Sequence, residues 1–201
     1  MNRHLRHVIV VLFMALVVSG CAQILLSGCR SGGCGSHGSQ DMSLTSLHEA
    51  AKNGDEKLVR QLIQGGADIY ARSQFGYMPI LYAGQQGHLK VVQIFLDAGF
   101  NPNCRNPFGG LILHAFVVYA TPEASALLID GGADVNAPAS DGQLPIHWAA
   151  WRSTPKSLKV LIDKGANVNA RHPSMGTPLR IARTHNKTSI AEILERAGAT
   201  E

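Results

Sequence analysis

The sequence predicts an all-α solenoid of five stacked helix-turn-helix units, 33 residues each, joined by hairpin-like loops. Three observations carry this expectation. An apolar residue recurs every 33 positions, at Leu47, Ile80, Leu113, Ile146 and Leu179. About nineteen residues after each comes a glycine corner: Gly66-Ala67-Asp68, Gly99-Phe100-Asn101, Gly132-Ala133-Asp134, Gly165-Ala166-Asn167 and Gly198-Ala199. Between the two rows lie apolar pairs at matching places, Leu62-Ile63, Phe95-Leu96, Leu128-Ile129, Leu161-Ile162 and Ile193-Leu194. No insertion interrupts the register from about residue 41 to residue 199.

Each unit reads as a turn, a short helix, a tight turn, a second helix and an extended return. Pro79, Pro145 and Pro178 suit the first position of a helix, where a missing N–H costs nothing. Thr177 is an N-cap before Pro178. Gly54 and Gly87 mark the ends of first helices, where a left-handed residue is wanted. Val59, Val92 and Ile190 join the apolar pairs into stripes at helical spacing. One unit cannot bury its own apolar face, so stacking supplies the core. The end units are the more polar. Lys52, Asp55, Glu56, Lys57 and Arg60 mark the first, and Arg180, Arg183, Glu192, Glu195 and Arg196 the last.

The start of each unit reads Thr45-Ser46-Leu47-His48, Met78-Pro79-Ile80-Leu81, Leu111-Ile112-Leu113-His114, Leu144-Pro145-Ile146-His147 and Thr177-Pro178-Leu179-Arg180. A Thr-Pro-Leu-His-like start and a Gly-Ala-Asp-like end at this period resemble the ankyrin repeat. The resemblance implies that Thr shares hydrogen bonds with the following His. Met78, Leu111 and Leu144 depart from it, so His114 and His147 need backbone or solvent partners, and Leu81 replaces the imidazole. Phe100 stands where a small Ala is usual, and Ala120-Thr121-Pro122 stands where the first helix would end in Gly-His. These departures predict a less regular stack in the middle. Cys104, in register with Ala71, Ala137 and Ala170, is expected in the core.

The resemblance also implies a binding surface, made of hairpin tips and the exposed face of the first helices. The variable first-helix pairs are Lys52-Asn53, Gln85-Gln86, Val118-Tyr119, Trp151-Arg152 and Thr184-His185. Tip positions include Gln74, Phe75, Tyr77, Phe108, Asp141, Gln143 and Ser174. Trp, Tyr and Arg dominate binding hot spots. The expected partner contacts are therefore Tyr119, Trp151, Arg152, Gln85, Gln86, Phe75, Tyr77 and Phe108. Tyr82 and Trp148 occupy a register that leans inward.

The N-terminus reads as a processing signal over residues 1–20. Arg3 and Arg6 precede an eleven-residue apolar run from Val8 to Val18. That run is too short to span a bilayer, which takes about 20 residues, and has the length of a signal-peptide core. It ends in Val18-Ser19-Gly20-Cys21, which resembles a bacterial lipobox. The resemblance implies cleavage before Cys21, acylation there, and travel to the outer membrane, facing the periplasm, because Ala22 rather than Asp follows. Leu26-Ser27-Gly28-Cys29 is a rival lipobox, and an uncleaved membrane anchor is the plainer alternative. Residues 21–40, rich in Gly and Ser, form a tether to a repeat domain at 41–201. As random coil, about 20 residues average roughly 25 Å end to end. Cys29 and Cys34 lie in that tether, as a disulfide in an oxidising compartment or as two free thiols. Initiation at Met42 would leave an untethered cytoplasmic copy with all five repeats.

The chain's formal charge of +4 falls to +2 without Arg3 and Arg6. No basic face argues for nucleic acid. No nucleophile motif, zinc motif or phosphate loop is present, and no cofactor is expected. His48, His114 and His147 fall one per repeat and cannot converge on one atom. Catalysis is not expected, and the chain is expected to be monomeric alone. Membrane-tethered ankyrin lipoproteins resemble immunity proteins that neutralise secreted effectors, including phospholipases delivered by type VI secretion. This implies a protein partner, a lipase effector, blocked by occlusion. The alternative is a periplasmic scaffold or chaperone for an envelope enzyme such as catalase.

Overall fold

A computed structural model describes residues 44–106 and 109–201. Cys21, Cys29, Cys34, Met42, the tether and Phe108 lie outside the described residues. Ten helices follow one another among the described residues: α1 (Ser46–Asn53), α2 (Glu56–Gln64), α3 (Pro79–Gln86), α4 (Leu89–Asp97), α5 (Ile112–Tyr119), α6 (Pro122–Asp130), α7 (Pro145–Arg152), α8 (Pro155–Asp163), α9 (Pro178–Thr184) and α10 (Thr188–Arg196). No strand occurs among the described residues. First helices pack on first helices of the neighbouring units, and second helices on second helices. The fold is therefore the all-α solenoid that the period predicts.

The caps explain why the helices start and stop where they do. Thr45 accepts from the His48 amide and Thr177 from the Arg180 amide. Pro79, Pro145 and Pro178 each open a first helix. At the far end of α1 and α3, Gly54 and Gly87 take φ of 74° and 75°, the left-handed corner that a Cβ disfavours. In the third unit the first helix ends instead on Ala120 in extended conformation, and Thr121 caps α6 by accepting from the Ala124 amide. The fourth unit repeats this device with Ser153 and Thr154, which the sequence reading did not single out. Asn186 takes the corner in the last unit, with φ of 55°.

Helix lengths stay regular through the middle of the stack, while the corners after the third and fourth first helices depart from the glycine corner, the third as Ala120-Thr121-Pro122 predicts. The first four first helices are eight residues long and all five second helices are nine. Phe100 is accommodated without disturbing the helices: it is buried, and its ring stacks on Tyr70 at 5.1 Å between centroids. The hairpin-like loops also hold one pattern. Ser73, Asn106, Ala139 and His172 each donate an amide to the carbonyl four residues on, at Tyr77, Gly110, Gln143 and Gly176.

The core runs through the stack as one cluster. Val59, Ile80, Phe95, Phe116, Leu128, Ile146, Leu158 and Leu194 are wholly buried in it. Cys104 is buried there as expected, its Sγ 4.0 Å from Met78 Sδ.

Two ladders tie unit to unit. Asn103 donates to the Gly132 carbonyl and accepts from the Asp134 amide. Asn136 does the same with Gly165 and Asn167, and Asn169 with Gly198 and Thr200. The second ladder is made by histidines. His48 Nε2 lies 3.0 Å from the Tyr77 carbonyl, His114 Nε2 3.0 Å from that of Gln143, and His147 Nε2 3.2 Å from that of Ala170. In His147, Nδ1 accepts from the Leu144 amide, so Nε2 carries the proton and donates. For His147 the Leu144 amide takes the place of the missing threonine, while in His114, where Leu111 stands in the threonine column, Nδ1 is buried without a hydrogen-bond partner.

Candidate protein-binding face

The exposed side of the first helices carries a line of rings that crosses the units. Its upper part gathers around Tyr77. The Tyr77 ring lies 6.4 Å from Phe75, 6.3 Å from Tyr82 and 5.8 Å from Tyr119. Tyr82 in turn sits edge-on to His48 at 5.6 Å and donates its hydroxyl to Ser73 Oγ at 3.1 Å. The lower part runs from Trp148, edge-on to His114 at 6.1 Å, to Trp151 at 6.4 Å and His185 at 5.7 Å. Arg152 covers the Trp151 ring, its guanidinium carbon 4.0 Å from the centroid.

Register explains the line. First helices stack in parallel, so equivalent positions in successive units stand side by side. Tyr119 and Trp151 come from the last turns of α5 and α7, and Tyr82 and Trp148 from the first turns of α3 and α7. All four are half-buried, with Tyr119 and Trp151 packed against the core from outside. Arg152 and Gln86 are exposed, and Gln85 is half-buried. Phe75 is 44% exposed at its loop tip, the most exposed large apolar side chain among the described residues.

Tyr77 does not stand at a tip as its position suggested. It is half-buried under the line, and its carbonyl takes the His48 bond. Burial, above all, raises the Tyr77 phenol well above its ordinary value, helped by the neighbouring Tyr119 phenol. The nearby Arg152 charge opposes the shift. Side chains of repeats two and three thus meet at this place, Tyr77 against Tyr119. The sequence reading named Tyr77, Tyr119, Trp151 and Arg152 separately. Tyr82 and Trp148, whose register leans inward, are half-buried and contact Tyr77 and Trp151, and His185, one of the variable first-helix positions, packs on Trp151. Their signal was the register: Tyr82 and Trp148 stand two repeat lengths apart at one position, directly after the histidine row.

Nothing on this face is arranged for acid–base catalysis. His48, His114 and His147 are buried, and burial lowers the pKa of each, partly offset by its carbonyl partner, so all three are neutral at pH 7. They serve separate joints of the stack. Among the described residues no group of three metal-ligating side chains comes together. No helix among them is long and apolar enough to cross a membrane.

A stack of helix pairs joined by hairpin-like loops defines a repeat protein. The family model of ankyrin repeats, in three copies, matches residues 12–106 and 80–172, and the chain belongs to the ankyrin-repeat family. No curated protein is a significant match to the chain. The family is one of protein–protein interaction modules, which is the functional class of this chain.

Proposed function

We propose that this protein is a membrane-tethered binder that neutralises a secreted effector, a lipase in particular, by covering its active-site mouth or its lipid-docking surface. The observation that carries the reading is the aromatic line itself. Half-buried rings from repeats two to four, with the exposed Arg152 beside Trp151, edge the first-helix side of the scaffold. Half-buried anchors on a rigid face bind tightly, because little side-chain freedom is lost on association. Anchor residues of these types account for most of the energy in protein interfaces.

The tether completes the proposal. Acylation at Cys21 would hold the domain at the periplasmic side of the outer membrane, where an incoming effector is met before it reaches lipid. Stable anchoring takes more than one acyl chain, and the lipobox reading supplies several.

The test is to isolate the full chain from its native cell with bound material and identify stoichiometric proteins. A lipase-like or otherwise toxic enzyme, inhibited by the pure chain, is the expected result. A catalase or another resident envelope enzyme, bound without inhibition, would replace immunity by the scaffold reading. The face is then tested on whichever partner is found. Trp151→Ala with Tyr119→Ala should weaken binding by several kcal/mol, and unchanged affinity would remove this face from the interface.

A further inference from the structure

The aromatic line contains one charge that the protein itself leaves unanswered. Among the described residues, Arg152 makes no ion pair and no hydrogen bond, and it is exposed. Among those residues, Arg60 and Arg180 are likewise without an ion pair or side-chain hydrogen bond but lie over no ring, whereas Arg72, Arg105, Arg171, Arg183 and Arg196 each give N–H groups to a carbonyl or a carboxylate. Stacking on Trp151 occupies the flat side of the Arg152 guanidinium. Its five N–H donors lie along the edges, in the fork that matches a carboxylate.

Charge over the face points the same way. The last turns of the five first helices contribute ten variable residues. Lys52 and Arg152 are cations among them, and none is a carboxylate. The tip residue Asp141 has both its oxygens engaged by Gln143, through the backbone amide and the side-chain amide. Glu49 stands on the first unit, far along the stack from α7. An uncompensated cation between apolar rings favours an anionic group in any surface that covers it.

We propose that Arg152 is the docking point for a carboxylate of the protein partner, an Asp or Glu side chain presented beside an apolar residue that packs on Trp151 and Tyr119. This rests on the reading of the face as protein-binding. Arg152 fixes which segment of the partner docks, and the rings supply the contact area around it. Once the rings exclude water, the paired charge is screened far less than on an open surface.

A library of random peptides displayed on phage, panned against the full chain in detergent, tests this directly. Enriched peptides should carry Asp or Glu next to an apolar or aromatic residue. Their affinity should fall roughly 30-fold or more with Arg152→Ala, and also with Arg152→Lys, which keeps the charge but loses the fork. Changing the peptide's Glu to Gln should cost a similar factor, and Arg152→Ala should then cost little more. Thermal melts of each variant confirm that the fold is retained. Peptides that lose binding with Trp151→Ala yet carry no carboxylate, or ignore Arg152→Ala, would overturn the anchor while leaving the face as a binding surface. If no enriched peptide responds to either change, the anchor and the protein-binding face fall together. Phosphatidylglycerol vesicles that bind through Arg152, with no such peptide selected, would replace the protein carboxylate by a membrane headgroup.

Discussion

The Tyr70 ring lies stacked on Phe100, with 5.1 Å between centroids and 26° between planes. Each residue departs from its column in the repeat. Phe100 replaces the small residue seen as Ala67, Ala133 and Ala166, and Tyr70 replaces the Asn seen at 103, 136 and 169. The two departures compensate. The Tyr70 hydroxyl lies 3.4 Å from the Gly99 carbonyl and accepts from the Asn101 amide at 2.9 Å, the same two groups that each Asn engages elsewhere. A ring pair has replaced an amide rung without breaking the ladder.

Coupling between the two follows. Phe100→Ala removes a buried ring and should cost about 3 kcal/mol. Tyr70→Asn alone should also destabilise, because Phe100 loses its stacking surface. The double change restores the repeat consensus at both places and should cost clearly less than the two single changes together. The expected coupling is about 0.5–1.5 kcal/mol, read from urea unfolding of the four proteins. Strict additivity would mean that the rings are neighbours without being partners.

Gly84 marks a close joint between the second and third units. It is buried inside α3, and a Cβ there would meet Phe116 Cε1 at 2.9 Å and Ala120 Cβ at 3.1 Å. Alanine in a helix interior gains about 0.5–1 kcal/mol over glycine. Overpacking a close joint costs typically about 1–3 kcal/mol. The steric cost wins, so Gly84→Ala should destabilise by about 1 kcal/mol in chemical denaturation. A stabilised Gly84→Ala would show that the Phe116 ring yields freely.

Acid should loosen the stack near pH 6. His48, His114 and His147 have folded pKa values below the ordinary 6.5, chiefly through burial. The unfolded chain therefore binds more protons than the folded one once the pH falls below about 6.5. Their contribution is complete above that value and declines as pH drops through it. Each histidine adds a slope of at most about 1.4 kcal/mol per pH unit. Urea midpoints measured from pH 8 to pH 5 should be flat at first and then fall. His147→Gln should flatten the decline, and an unchanged profile would show that His147 titrates normally in the folded state.

Threonine caps at the two altered corners should be worth measuring singly. Thr121 and Thr154 accept from the amides of Ala124 and Ser157, each at 3.2 Å. Replacement by Ala should cost about 1 kcal/mol at each site. Thermal unfolding of both variants checks this, and no change at either would assign the corner's stability to Pro122 and Pro155.

Most of the architecture was legible because repetition amplifies weak signals. A single Pro or Gly suggests a boundary, but Pro79, Pro145 and Pro178 in one register fix it. What escaped depended on contacts between columns. Phe100 reads as a disruption because its partner, Tyr70, sits thirty residues earlier and in a different column of the repeat. The Ser153-Thr154-Pro155 corner carried the same signal as Ala120-Thr121-Pro122 and was missed only as a second instance. Tyr77 was placed at a tip with Phe75, yet Gly76 between them takes a φ of 74° and breaks the alternation that would keep both on one side. The rings of the binding line were visible as residue types. The contacts of Tyr82 with Tyr77, and of Trp148 and His185 with Trp151, depend on side-chain direction, which spacing alone does not give.

Membrane attachment provides the last prediction. A lipobox cysteine follows an apolar segment of signal length, and Val8 to Val18 leads directly into Ser19-Gly20-Cys21. The stretch before Cys29 is interrupted by Gly20, Cys21 and Gln23. Labelling cells with a palmitate analogue should therefore mark the wild-type chain and Cys29→Ser, and leave Cys21→Ser unmarked. The Cys21→Ser chain should also keep its first twenty residues and run larger on gels. Label retained in Cys21→Ser but lost in Cys29→Ser would move the anchor to the second cysteine and shorten the tether by eight residues. Absence of label from all three would remove lipid from the proposal and leave the binding face to act without a tether.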